Sequence, residues 1–297
     1  MQPSGKNVGI WTGALDTLAL GEAREAVAEL DEQGWASLWL PEAFGREALT
    51  AAQVYLSASS RMTVGTGIAS IYARDALATA TATRTLHAAY PGRFVLGLGV
   101  SHAPMVEGMR GQAYGKPVAA MTAYLDALDA APMVVAGEKE NAPRVLAALG
   151  PRMLELARDR AQGAHPYLVT PEHTATAREV LGAGPLLVVE QAAVVTPAAD
   201  TDDEVFGAIA HGHLKLYSEL PNYRASWLRQ GFDESDLVSG GSPKLAGAMV
   251  ARGLEATAER VRAHFDAGAS TVCVQVLGAD HRTAPREDWA RLAEALL

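Results

Sequence analysis

Residues 76–102, ALATATATRTLHAAYPGRFVLGLGVSH, decide the fold class. The stretch 76–89 reads as a helix, and 94–99 as a short Val/Leu strand of the kind that is buried on both faces. The same rhythm runs along the whole chain. Apolar runs rich in Val, Ile and Leu fall at 8–11, 36–40, 62–68, 94–99, 144–148, 163–169, 186–195 and 271–277. Helical patterns fall between them at 21–33, 76–89, 117–130, 151–160, 171–181, 202–220 and 255–267. Pro151 and Pro171 suit first-turn positions, and Gly34 and Gly268 suit left-handed helix ends. Eight strands alternating with helices predict an α/β fold, a (β/α)8 TIM barrel. No Pro/Gly/Ser linker divides the chain, so 1–297 reads as one domain.

Two stretches exceed a minimal barrel and read as insertions after strands 4 and 7. One is 100–143; the other is 221–252, which contains the turn formers and scattered aromatics of PNYRASWLRQGFDESDLVSGGSPK. Long segments at a barrel mouth act as lids or substrate walls more often than as inert loops.

Composition narrows the function. Acidic residues (34) exceed basic ones (25), giving a formal charge of -9 and disfavouring a nucleic acid partner. The single cysteine, Cys273, cannot form an internal disulfide, and no run approaches the ~20 apolar residues of a membrane span. MQPSGKNVGI lacks the pattern of a secretory signal, so the expectation is a cytoplasmic protein with a small-molecule substrate.

In a parallel barrel, chemistry gathers where strands end. Glu42 follows the second strand, Arg74 the third, Ser101 and His102 the fourth, and His165 the sixth. Glu42, His102 and His165 are expected to converge on one cavity. Taken singly, Glu42 is equally a capping carboxylate, His102 a loop-orienting group and His165 a turn residue. The histidines lack metal-site spacing, and in HGH at 211–213 residues two apart on a helix face different ways. Gly97 and Gly99 lack the rest of a dinucleotide fingerprint, and are expected to thin the strand under a flat ring. Gly150-Pro151 opens a helix after a strand. The free N–H groups of Arg152 and Met153, with the Arg152 charge, make an anion site; an ordinary turn with a solvated arginine reads equally well.

TGI (66–68) followed by Arg74, then TLHAAYPGRFVLGLGVSH (85–102), then GPRMLELARDRAQGAHPYL (150–168), resembles the bacterial luciferase-like superfamily. The likeness is strongest to actinobacterial members that use the deazaflavin coenzyme F420. It runs from VGIWTG and GWASLWLPEAFG through LPNY and GF (231–232) to AGASTVCVQVL, nearly the whole chain.

The resemblance implies a ring cofactor at the C-terminal mouth, F420 or alternatively FMN. It implies a cis Gly67–Ile68 peptide at a bulge, with Ala69, Arg74, Ser101 and His165 also near the ring and the cofactor phosphate near Gly150, Arg152 and Met153. A homodimer is the expected assembly. Several deazaflavin-dependent relatives carry an Asp-His pair after the second strand and a glutamate after the fourth. Here Pro41 with Glu42, and His102, hold those places, so carboxylate and imidazole are exchanged. The expected activity is hydride transfer between F420 and a small organic substrate, with His102 moving the proton and Glu42 tuning it or positioning substrate. An FMN-dependent monooxygenase and a non-catalytic cofactor-binding barrel are the alternatives.

Overall fold

A computed structural model describes residues 7–134, 141–280 and 283–297. The start of the chain, from which the absence of a secretory signal was read, lies largely outside the described residues. Strands β1 (Asn7–Trp11), β2 (Ser37–Leu40), β3 (Thr63–Thr66), β4 (Ala69–Ser70), β5 (Phe94–Gly99), β6 (Arg144–Leu146), β7 (Gly163–Ala164), β8 (Leu186–Val194), β9 (Val250–Arg252) and β10 (Thr271–Val276) are all paired in parallel. Their order is β10-β1-β2-β3-β5-β6-β7-β8, and a β8–β10 ladder closes the ring. β3 and β4 are two halves of one barrel strand, split at Gly67–Ile68, where the peptide is cis. Eight strands therefore close a parallel barrel with helices between them.

Strand periodicity sorts side chains into two layers. Ile10, Leu38, Leu40, Val64, Phe94, Leu96, Val189 and Val274 belong to the apolar cluster shared with the outer helices. Their alternates Trp11, Trp39, Val95, Val145, Val188, Ala192 and Cys273 form a second cluster, the barrel interior, which continues upward into Tyr167, Tyr223 and Trp227. Glycines on the interior positions admit the large rings. A Cβ on Gly65 would lie 2.5 Å from the Trp39 ring.

Several elements differ from the sequence expectations. The 163–169 run keeps only two residues as strand, because the chain turns through Pro166 and a left-handed Leu168 (φ 53°). Helices Ala48–Ala58 and Arg286–Leu296 were not foreseen. The first is apolar nearly all round, so it carries little of the amphipathic signal that marks a helix.

Residues 221–252 hold two helices, Pro221–Arg229 and Pro243–Met249, joined by a turn-rich connection over 230–242 and followed by β9. Both prolines occupy first-turn positions, where a missing N–H costs nothing, and so had read as turn formers. β9 pairs Val250 with Ala192, along the edge of β8 opposite β10. Among the described residues, no helix is long and apolar enough to cross a membrane.

Candidate active site at the barrel mouth

The floor is built from strand ends. Trp11 closes β1, and its indole Nε1 donates to the Gly67 carbonyl at 2.9 Å. The Gly67 N–H is held by Leu40 O at 2.6 Å, so the bulge is fixed from β1 and β2 together. His165, just past β7, stacks on Trp39 with centroids 5.1 Å apart. Its Nδ1 bonds Val188 O at 2.8 Å, which leaves Nε2 the acceptor, a buried atom with no partner among the described residues. Burial brings the pKa of His165 down to about 4, so the ring is neutral. A Cβ on Gly67 would stand 2.8 Å from that Nε2 and 2.7 Å from Trp11 Nε1. Gly67 thus lies between two rings that leave no room for a side chain.

The glycines of β5 serve the bulge rather than a ligand, which corrects the sequence expectation. A Cβ on Gly97 would lie 1.8 Å from Thr66 O, and one on Gly99 would lie 2.4 Å from Ile68 Cδ1. Thr66 Oγ1 also clasps Gly97, accepting from its N–H at 2.8 Å and donating to its carbonyl at 2.7 Å. The space those glycines open is filled by the third strand's own backbone and by Ile68. Beyond it, Ala69 is fully buried and pairs with Leu98.

Glu42 and Arg74 meet each other. The carboxylate accepts from the Arg74 guanidinium, from the Ser70 N–H at 2.8 Å and from the Ala48 N–H at 3.2 Å. Arg74 also pairs with Glu47 at 2.5 Å, and its Nη1 is a buried donor without a partner among the described residues. Glu42 therefore ties the residues after the bulge to the first turn of the Ala48–Ala58 helix.

His102 has different partners. Ser101 before it takes a left-handed φ of 55°, and its carbonyl accepts from Tyr114 Oη at 3.1 Å. The His102 imidazole is hydrogen-bonded by Asn222 and lies 5.9 Å from the Tyr223 ring. Burial draws its pKa below the ordinary imidazole value, and the Asn222 bond partly restores it. Both neighbours come from the Pro221–Arg229 helix, so this segment walls the mouth.

Around it stands an aromatic group. Tyr223 packs on Tyr217 at 4.8 Å and Trp227 at 5.8 Å, and Tyr167 packs on Trp11 at 5.1 Å. Tyr167 Oη donates to Gln275 Oε1 at 2.7 Å and lies 3.3 Å from His213 Nε2. His211 turns the other way and bonds Gly240 O at 2.9 Å.

At Gly150 the helix begins as expected, at Pro151, but the Met153 N–H is not free. It donates to Gly150 O at 3.1 Å, as the first turn closes back on its cap. Arg152 is exposed and Met153 buried. The cation standing at the turn is Arg229, which donates to Leu149 O at 3.1 Å and lies 3.5 Å from where a Gly150 Cβ would be. Beside it is a cavity of about 230 Å³ lined by Leu149, Pro151, Leu154, His173, Arg229 and Gln230.

The family profile for luciferase-like monooxygenases matches residues 7–287. The chain belongs to the luciferase-like monooxygenase family. Within it, the chain is 37% identical over 102 residues to a Mycobacterium tuberculosis protein that bears the name coenzyme F420-dependent oxidoreductase. That stretch spans 34% of this chain and 29% of the relative. The fold is also that of an F420-dependent secondary alcohol dehydrogenase (TM-score 0.74, 14% identity, 98% of each chain). It is likewise that of the F420-dependent tetrahydromethanopterin reductase of Methanopyrus kandleri (0.70, 15%, 99% of each). A third likeness is the FMN-bound oxygenating constituent of 3,6-diketocamphane monooxygenase from Pseudomonas putida (0.68, 13%, 99% of each).

Sequence reading missed Trp11, Trp39, Asn222, Tyr223 and Arg229 as site residues. The tryptophans were legible as aromatics at the last position of strand one and the next-to-last of strand two. The other three lie far along the chain, in a segment whose helix was not foreseen.

Proposed function

We propose that this luciferase-like enzyme moves a hydride between coenzyme F420 and a small organic substrate, with the ring at the barrel mouth and His102 handling the proton. The observation that carries the reading is His102 itself. It is a partly buried imidazole beyond β5, held by Asn222 and Tyr223, with its pKa drawn below the ordinary imidazole value by burial. The residues suit a polar ring cofactor: His165 Nε2 is a buried acceptor without a partner, beside a glycine framed by two rings. The Gly150 turn, with Arg229 and the adjoining cavity, suits the anionic end.

Bound there, F420 would supply or take the hydride at its C5. His102 would give or accept a proton at the ring nitrogen not engaged by Asn222. Glu42 would act through shape, holding Arg74 and the Ser70 N–H, and Tyr223 and Trp227 would keep water from that side.

In single-turnover assays with F420 and a panel of small alcohols and ketones, His102→Ala should slow the chemical step by ~10²–10⁴-fold with little change in cofactor affinity. Glu42→Gln should cost less. A His102→Ala enzyme that turns over at the wild-type rate would remove the assignment.

A further inference from the structure

The strand run LLVVEQAAVV (186–195) carries one carboxylate among apolar residues, and alternation with Val188 and Ala192 turns it into the barrel. Glu190 Oε2 accepts from the Leu168 N–H at 3.0 Å. Leu168 is one of two described non-glycine residues with positive φ. Its carbonyl is taken from the other side by Trp227 Nε1 at 3.1 Å. Leu168 is thus held in the left-handed region by two buried side chains, one on the barrel and one on the Pro221–Arg229 helix. That helix brings Asn222 and Tyr223 to His102.

We propose that Glu190 is a positioning residue: by holding Leu168 in its left-handed turn, it fixes the Pro221–Arg229 helix over the mouth and so sets the environment of His102. The catalytic consequence rests on the reading of His102 given above, whereas the packing consequence does not. Glu190 Oε1 is buried with no partner among the described residues. The groups facing it are Cys273 on β10, Tyr167 beside Leu168, Tyr217 on the Asp203–Tyr217 helix and Tyr223 on the Pro221–Arg229 helix. All are neutral acids pushed up by burial, so none offers a charge to balance a carboxylate. Burial raises the Glu190 carboxyl to about 8, and at neutral pH it carries its proton on Oε1 while Oε2 accepts. Above that pH a charge forms in the barrel and can be solvated only by displacing the tyrosine wall.

Hydrogen exchange on the full chain, without cofactor or substrate, tests this. After correction for intrinsic rates, amides of 221–232 in the wild type should lose protection by about tenfold or more as pH rises through 8. Glu190→Gln keeps the acceptor and cannot ionise, so its protection should stay high and flat. Glu190→Leu and Trp227→Phe should exchange fast at every pH. In parallel, the NMR titration of His102 should move up towards the ordinary imidazole value in Glu190→Leu and stay in place in Glu190→Gln. A Glu190→Leu helix as protected as in Glu190→Gln, or a His102 titration unmoved in Glu190→Leu, would overturn the proposal. Because no ligand is present, such a failure is separate from any failure of the cofactor reading.

Discussion

Trp11 donates its indole N–H to the carbonyl of Gly67 across the barrel at 2.9 Å, tying the first strand to the bulge of the third. The same indole closes the space where a Gly67 side chain would go, 2.7 Å from an added Cβ, with His165 at 2.8 Å on another side. Both rings are buried, so neither can swing away without disturbing Trp39 and Tyr167. Gly67→Ala should therefore lower stability by about 1–3 kcal/mol, the usual cost of overpacking. Denaturant unfolding measures this directly; an unchanged midpoint and slope would mean that the rings have room to move.

Three buried histidines make the fold acid-sensitive. Burial lowers the pKa of His165 and His173 to about 4 and of His264 to about 3, while in the unfolded chain each titrates near 6.5. Between those values the unfolded state binds more protons, so stability is complete above about pH 6.5 and falls as pH drops towards 4. Each histidine contributes up to ~1.4 kcal/mol per pH unit in that window. His264 sits between Thr174 Oγ1 at 2.8 Å and Gln191 Oε1 at 3.0 Å. His264→Gln should cost stability at pH 7 and flatten the pH slope between 4.5 and 6 by about one proton's worth. An identical slope in the variant would contradict a neutral, buried His264.

At the Gly150 turn, the structure shifts attention from Arg152 to Arg229. Arg229→Ala should weaken F420 binding by about 1–3 kcal/mol, the range for a charge-assisted contact to an anion, and Arg152→Ala by less. Dissociation constants from fluorescence quenching would decide between them. A larger loss in Arg152→Ala would return the anionic end of the cofactor to the exposed side of the turn.

The barrel was legible because its strands are short, apolar and evenly spaced, and the cis peptide because TGI stands where the resembling family has it. Gly97 and Gly99 were seen but misread. The sequence does not tell which atom fills the space a glycine leaves, and here it is Thr66 O and Ile68. Glu42 and Arg74 were found as residues that follow strands, but their pairing depends on how the chain leaves the bulge. The wall around His102 was hidden for another reason. Asn222 and Tyr223 follow a proline that reads as a turn until its helix is known, and no local pattern links them to a loop 120 residues earlier. Glu190 was open to notice, since a lone carboxylate inside an apolar strand run is costly unless the site uses it.

The central claim, a deazaflavin at the barrel mouth, is tested most directly by titrating the purified protein with F420 and with FMN and following each chromophore's absorbance. The account predicts saturable F420 binding at least about tenfold tighter than FMN, weakened by Arg229→Ala and by Gly67→Ala. Tighter binding of FMN, or spectra unmoved by either cofactor, would contradict it.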